Sequence, residues 1–305
     1  MRGPVSHVSF LPVVPGFATS SLSLSSMPNV KTSTATPTAE LFYQDLNPEG
    51  SAGTVLLIHG WPLSHRMFEP QLWPLTEAGY RVIAYDRRGF GSSAFPGSGY
   101  DYDTFAADLN DLLTELDLTD VNLVGFSMGG GELGRYVGTY GTDRVKKLVF
   151  MSSVFPYMLK TDDNPNGVPK STFDDMKAGL KDDRPAFLQS FGKDFVNYDT
   201  LSDTISEQVL HYHWSIAAMA QPKATVDCVD AFGLTDFRAD AARIDVPTLF
   251  IHGDDDQIVP FETSAKTGSE LVEGSTVHTV EGGPHGLNHT HKDEVNRVLL
   301  DFLAS

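Results

Sequence analysis

The stretch Val121-Asn122-Leu123-Val124-Gly125-Phe126-Ser127-Met128-Gly129-Gly130-Gly131 decides the fold. Val121 to Phe126 is a short apolar run, which predicts a buried strand. Glu132 to Tyr140 reads as a helix, so Gly125-Phe126-Ser127-Met128-Gly129 spans a strand-to-helix turn. In that setting G-x-S-x-G holds a serine on a strained backbone at the carboxyl edge of a sheet, ready to act as a nucleophile. The flanking glycines leave room where a Cβ would clash.

Outward from this turn the chain alternates. Strands are expected at Glu40–Leu46 (an edge strand), Thr54–His59, Arg81–Asp86, Arg144–Ser152, Val246–His252 and Thr276–Glu281. Helices are expected at Met67–Gly79, Tyr102–Asp117, Thr263–Leu271 and His291–Leu303. Strands separated by helical patterns predict an α/β fold with a mostly parallel sheet and helices on both faces. From Val154 to about Ile244 the alternation stops. Helical stretches dense in Phe, Tyr and Trp predict a helical cap inserted between two strands.

A formal charge of −18 over 305 residues argues against nucleic acid and anionic membranes as partners. Cys228 is the sole cysteine, which excludes an intramolecular disulfide and a cysteine metal cluster. No apolar run approaches the roughly 18 residues of a membrane span. Residues 1–39 lack acids, carry only Arg2 and Lys31 as strong bases, and are rich in Ser, Thr and Pro. A signal-like segment is interrupted by Pro12 and Pro15, and a transit peptide would carry more arginine. The expectation is a disordered tail, or an upstream start with Met27 as the first residue, ahead of one domain over 40–305. A cytoplasmic location follows, with organelle import as the alternative.

A serine nucleophile needs a base, and the base an orienting acid. His285, in Gly282-Gly283-Pro284-His285-Gly286, follows the last expected strand and is the candidate base. His59 and His252 end strands and are expected to pack or hydrogen-bond there. A metal cluster of His285, His289 and His291 lacks an acidic partner at ligand spacing. The acid belongs in the loop Gly253-Asp254-Asp255-Asp256-Gln257-Ile258, where Asp256 is preferred because Asp254 and Asp255 suit the turn itself. The oxyanion hole calls for two backbone N–H donors, assigned to Met128 and to Trp61, which could also be a pocket wall. Phe126, Phe232 and Ile258 are candidate substrate contacts, Phe232 serving equally well as cap core.

Taken together, His59-Gly60-Trp61-Pro62-Leu63-Ser64, Tyr85-Asp86-Arg87-Arg88-Gly89-Phe90-Gly91, the serine turn and His252-Gly253-Asp254-Asp255-Asp256-Gln257-Ile258-Val259-Pro260 resemble the cofactor-free haloperoxidase and aryl-esterase branch of the α/β-hydrolase fold. Lys223–Cys228 and Thr235–Arg238 match that branch too. The resemblance runs from about Leu41 to the C-terminus. It implies hydrolysis of small esters through an acyl-enzyme, without cofactor or metal, and it supports Asp256 as the acid. It further implies peracid formation with hydrogen peroxide as a second activity, halide oxidation following from the peracid, and homo-oligomers in many members. Lactonases and amidases of the same fold, a hydroxynitrile lyase or a non-catalytic ligand-binding member are the competing readings.

Overall fold

The computed structural model describes residues 28–305. Among them, eight strands form one sheet in the order β1-β2-β4-β3-β5-β6-β7-β8. They are β1 (Asn29–Lys31), β2 (Glu40–Leu46), β3 (Thr54–Ile58), β4 (Arg81–Tyr85), β5 (Val121–Phe126), β6 (Val145–Met151), β7 (Thr248–Gly253) and β8 (Thr276–Val280). β1, β2 and β4 pair antiparallel, and from β4 onward every pairing is parallel. The central strands β3 and β5 are apolar almost throughout and buried along nearly their whole length. A strand covered on both faces has no need of an alternating pattern.

Three helices, α1 (Glu69–Glu77), α2 (Tyr102–Glu115) and α3 (Met128–Tyr140), connect the first half of the sheet. α2 starts where the Asp101 carboxylate accepts from the Thr104 N–H, and buries Phe105, Leu109, Leu112 and Leu113 along one face. The insertion between β6 and β7 carries α4 (Lys170–Asp182), α5 (Arg184–Phe195), α6 (Tyr198–Leu201), α7 (Glu207–Met219), α8 (Pro222–Leu234) and α9 (Arg238–Ala241). α10 (Ala265–Leu271), α11 (Leu287–Thr290) and α12 (Lys292–Ala304) complete the chain.

Two expectations are corrected. Glu40–Leu46 is not the edge strand, because β1 pairs outside it in the register Val30 to Leu41. Nor are residues 28–39 a disordered tail. Ser33 and Thr34 N–H groups donate to Asp111 Oδ2 at 2.6 and 2.8 Å, and Arg88 Nη1 donates to the Pro37 carbonyl at 2.8 Å. These partners lie far away in sequence, so the segment is held by tertiary hydrogen bonds rather than by any periodicity of its own. The rest of that expectation, residues 1–27, lies outside the described residues.

Candidate active site

β5 delivers Ser127 at its carboxyl end with φ 52° and ψ −117°, a left-handed conformation that a side chain with a Cβ rarely adopts. The strain is held by close backbone approach. A Cβ on Gly129 would come 2.2 Å from the Ile58 carbonyl oxygen, and one on Gly60 would come 3.0 Å from Ser127 Cβ. The end of β3, the loop after it and the start of α3 therefore meet at the serine.

His285 reaches this point from the loop after β8. Its Nε2 lies 2.9 Å from Ser127 Oγ, and its Nδ1 lies 2.8 Å from Asp256 Oδ2. An ionised Asp256 accepts from Nδ1–H, which leaves the Nε2 lone pair to receive the serine proton. Asp256 Oδ1 accepts the N–H groups of Ile258 and Val259 at 2.9 and 2.8 Å. Burial alone would raise this carboxyl. The charge of His285 and the hydrogen bonds from His252 and His285 outweigh it and hold the group well below the usual carboxylate range. His285 is buried, with the rings of Phe126 and Phe195 edge-on to it at 5.2 and 5.0 Å.

Of the three aspartates, the structure brings only Asp256 to His285. Asp254 accepts the Gly282 N–H at 2.6 Å and ties its loop to the histidine loop, while Asp255 accepts from Asn197 and Gln257. His252, expected to pack or hydrogen-bond at its strand end, also touches the acid: its Nε2 is 3.2 Å from Asp256 Oδ2 and 2.9 Å from the Val259 carbonyl. A histidine ending the strand that carries the acid loop was the available signal.

Met128 N–H stands at the first position of α3, where no intrahelical acceptor exists, and Trp61 N–H lies in the loop after β3. Neither has an acceptor among the described residues. Behind them runs a buried polar strut. Arg87 Nε donates to Glu132 Oε2 at 2.6 Å and Arg87 Nη2 to the His59 carbonyl at 2.9 Å, while Tyr85 donates to the other Glu132 oxygen. Burial pushes Glu132 up and Arg87 down, as for any charge withdrawn from water, so each depends on the other for compensation. Glu132 belongs to α3 and His59 leads into Trp61, so the strut joins the two segments that carry the free N–H groups.

Above the serine lies a cavity of about 440 Å³, bounded by Trp61, Ser127 and His285 below and by the insertion above. Phe232 and Ile258 line it as expected. Phe126 does not and is corrected: it is fully buried, with its ring packed against His285 and Phe195. Trp61 serves the wall as well, its ring against Phe191 and Phe232 and its Nε1 donating to the Thr225 carbonyl at 3.1 Å. Sequence reasoning missed Phe187, Ser190, Phe191 and Asp194, all on the wall. They recur at one-turn intervals along α5, a helical face visible in the sequence without any sign of what it faces.

The sequence model of the family described as alpha/beta hydrolase fold matches residues 53–292. The chain is similar to a non-heme chloroperoxidase of Kitasatospora aureofaciens, 43% identical over 266 residues, covering 87% of this chain and 96% of the relative. A bifunctional esterase/perhydrolase of Acinetobacter calcoaceticus is 38% identical over 267 residues, covering 87% and 96%. The crystal structure of a bromoperoxidase from Bacillus anthracis superposes with a TM-score of 0.86 at 50% identity, covering 91% of this chain and all of that one. No helix of the described residues is long and apolar enough to cross a membrane.

Proposed function

The chain belongs to the alpha/beta hydrolase fold family, and from that premise we propose that Ser127, His285 and Asp256 hydrolyse small carboxylic esters through an acyl-enzyme. The hydrogen-bonded line from Ser127 Oγ through His285 to Asp256, beneath a largely apolar cavity, carries the reading. Ser127 Oγ attacks the carbonyl carbon while His285 Nε2 takes its proton. The oxyanion is held by the N–H groups of Trp61 and Met128, each contributing about 3 kcal/mol to lowering the barrier. The tetrahedral species collapses, His285 returns the proton to the leaving alcohol, and the acyl group remains on Ser127. Water activated by His285 then releases the acid.

Hydrogen peroxide in place of water releases a peracid by the same step, as the likeness to an esterase/perhydrolase supports. The Trp61 carbonyl is the acceptor for the extra O–H that peroxide brings. Pro62 restricts the backbone of Trp61, and this carbonyl accepts no hydrogen bond among the described residues. The insertion between β6 and β7 acts as the cap of a single catalytic domain. An ester and hydrogen peroxide are the small-molecule partners, and the protein assembles as a homo-oligomer.

Ser127→Ala tests the reading. It is expected to abolish turnover of p-nitrophenyl acetate while leaving the melting temperature within a few degrees. A phosphonate probe labels Ser127 in the wild-type chain and nothing in the variant. Labelling at another serine would overturn the assignment.

A further inference from the structure

The cavity wall is apolar except for a few groups. Among the described residues, Asp194 is its one ionisable side chain apart from His285, and neither Lys nor Arg reaches it. Among the described residues the Asp194 carboxylate has no ion-pair partner and accepts no hydrogen bond. Burial, with the nearby charge of Asp199, raises its pKa above the ordinary carboxylate value. A second cavity of about 610 Å³ opens outside the first and shares Ser190, Asp194, Gln257 and Ile258 with it. That outer chamber is polar, lined by Asp199 and Asp255, with Lys193 as its one cation among the described residues. Asp194 therefore stands where an apolar chamber at the nucleophile meets a polar, acid-rich vestibule.

From this placement we infer that Asp194 selects substrates by charge: acyl groups that are neutral or cationic are accepted, and acyl groups bearing a carboxylate are rejected. This rests on the ester-hydrolase reading of the site. Asp194 is exposed, but one side of it faces the apolar chamber, and there its uncompensated carboxylate repels a second anion and attracts a cation. Asp194 is open to solvent on its outer side, so the discrimination is modest, on the order of three- to tenfold in kcat/KM. A neutral aliphatic or aryl acyl chain fills the inner chamber, and a cationic terminus reaches Asp194 at the junction.

The test uses three p-nitrophenyl esters of matched length: hexanoate, the adipate monoester and 6-(trimethylammonio)hexanoate. The readout is the ratio of each charged ester's kcat/KM to that of hexanoate, so every variant is its own reference. In Asp194→Asn the adipate ratio rises about three- to tenfold and the ammonium ratio falls by a similar factor. Asp194→Glu keeps the charge and holds both ratios within about twofold of wild type. Raising the salt toward 1 M, where the Debye length is about 3 Å, shrinks the wild-type discrimination. An adipate ratio that moves less than twofold in Asp194→Asn, or equally in Asn and Glu variants, overturns the inference. Absence of wild-type turnover on all three esters, or turnover that survives Ser127→Ala, instead overturns the hydrolase reading and this inference with it.

Discussion

The carboxyl edge of the sheet and the helical insertion above it meet at one cavity but are built differently. At the edge, main chain does the holding: Ser127 by its own φ, Asp256 by two backbone N–H groups, Met128 by its place at a helix start. The insertion is tied to the edge by a few polar contacts, such as Gly286 N–H to the Phe195 carbonyl at 2.7 Å and Gln221 N–H to the Gly89 carbonyl at 2.9 Å. Otherwise it rests on aromatic packing, with Phe191, Phe195 and Phe232 against Trp61, Phe126 and His285. Positions set by backbone tolerate little displacement, whereas packed side chains exchange at modest cost. Substitutions at the edge should therefore change kcat by orders of magnitude, and those in the insertion should change substrate ratios and stability.

The largest expected effect is at the acid. Asp256→Asn should lower kcat about 10⁴-fold, because a neutral partner lets His285 adopt the wrong tautomer. Asp254→Asn keeps an acceptor oxygen for the Gly282 N–H and only weakens a loop contact, so it should cost less than about tenfold. Steady-state kinetics on p-nitrophenyl acetate separate the two. A crippled Asp254→Asn beside an active Asp256→Asn would show that backbone at the edge does not hold the acid as described.

Much of the edge was legible in the sequence, because each feature there is local. A strand, a G-x-S-x-G turn and a helix are contiguous, and His285 sits in a glycine-rich loop after the last strand. Contacts that close across the fold left no such trace. β1 is three residues long and is held by its pairing with β2, and the turn after it by Asp111 and Thr32, so nothing in its own pattern distinguishes it from a tail. The burial of Phe126 against His285 and Phe195 depends on how the chain turns at Ser127 and on where the insertion returns, and the α5 face on what α5 packs against. His252 looked like a strand-end histidine and is one; only the return of the acid loop brings Asp256 to it.

An intermediate effect is expected at the strut under the oxyanion donors. Glu132→Gln leaves Arg87 buried without its counter-charge, which should cost about 3–5 kcal/mol of stability. A displaced Trp61 or Met128 N–H should lower kcat about 10–100-fold with little change in KM, since the donors act on the transition state. Affinity for a boronic acid, which forms a tetrahedral adduct on serine, should fall in parallel with kcat. Loss of stability with kcat and adduct affinity intact would make the strut purely structural and narrow the edge to its main chain.

The smallest effect concerns how the insertion is fastened. His213 on α7 meets His289 on α11, with Nε2 atoms 3.1 Å apart and rings edge-to-face at 4.3 Å. His289 Nε2 also lies 2.9 Å from the Met67 carbonyl, so its proton points into the core. Burial first, and the neighbouring His289 second, push His213 down to about 3; burial lowers His289 as well. On the sheet side, burial and Arg87 hold His59 at about 3. A histidine lowered in the folded state stabilises fully above its unfolded value of about 6.5. Between that value and 3 the unfolded chain binds a proton that the folded chain refuses, so stability falls as pH drops, by up to about 1.4 kcal/mol per pH unit for each such group. Asp256, with its depressed carboxyl, adds its own loss only below about 4, while Glu132, raised by burial, takes up a proton first in the folded chain and offsets part of the fall, so the histidine contribution between pH 6 and 4.5 is read as the difference between wild type and each variant. His213→Gln and His59→Gln should each flatten the fall of urea-unfolding free energy in that window by about the same amount. A slope unchanged in His213→Gln would mean that the histidine pair takes up protons without opening. With Trp61 and Trp73 replaced by Phe, the remaining Trp214, on α7, reports the insertion alone. If its fluorescence changes at higher pH than the far-UV signal of the whole chain, the insertion loosens while the sheet stands; coincident transitions would make the two regions one cooperative unit.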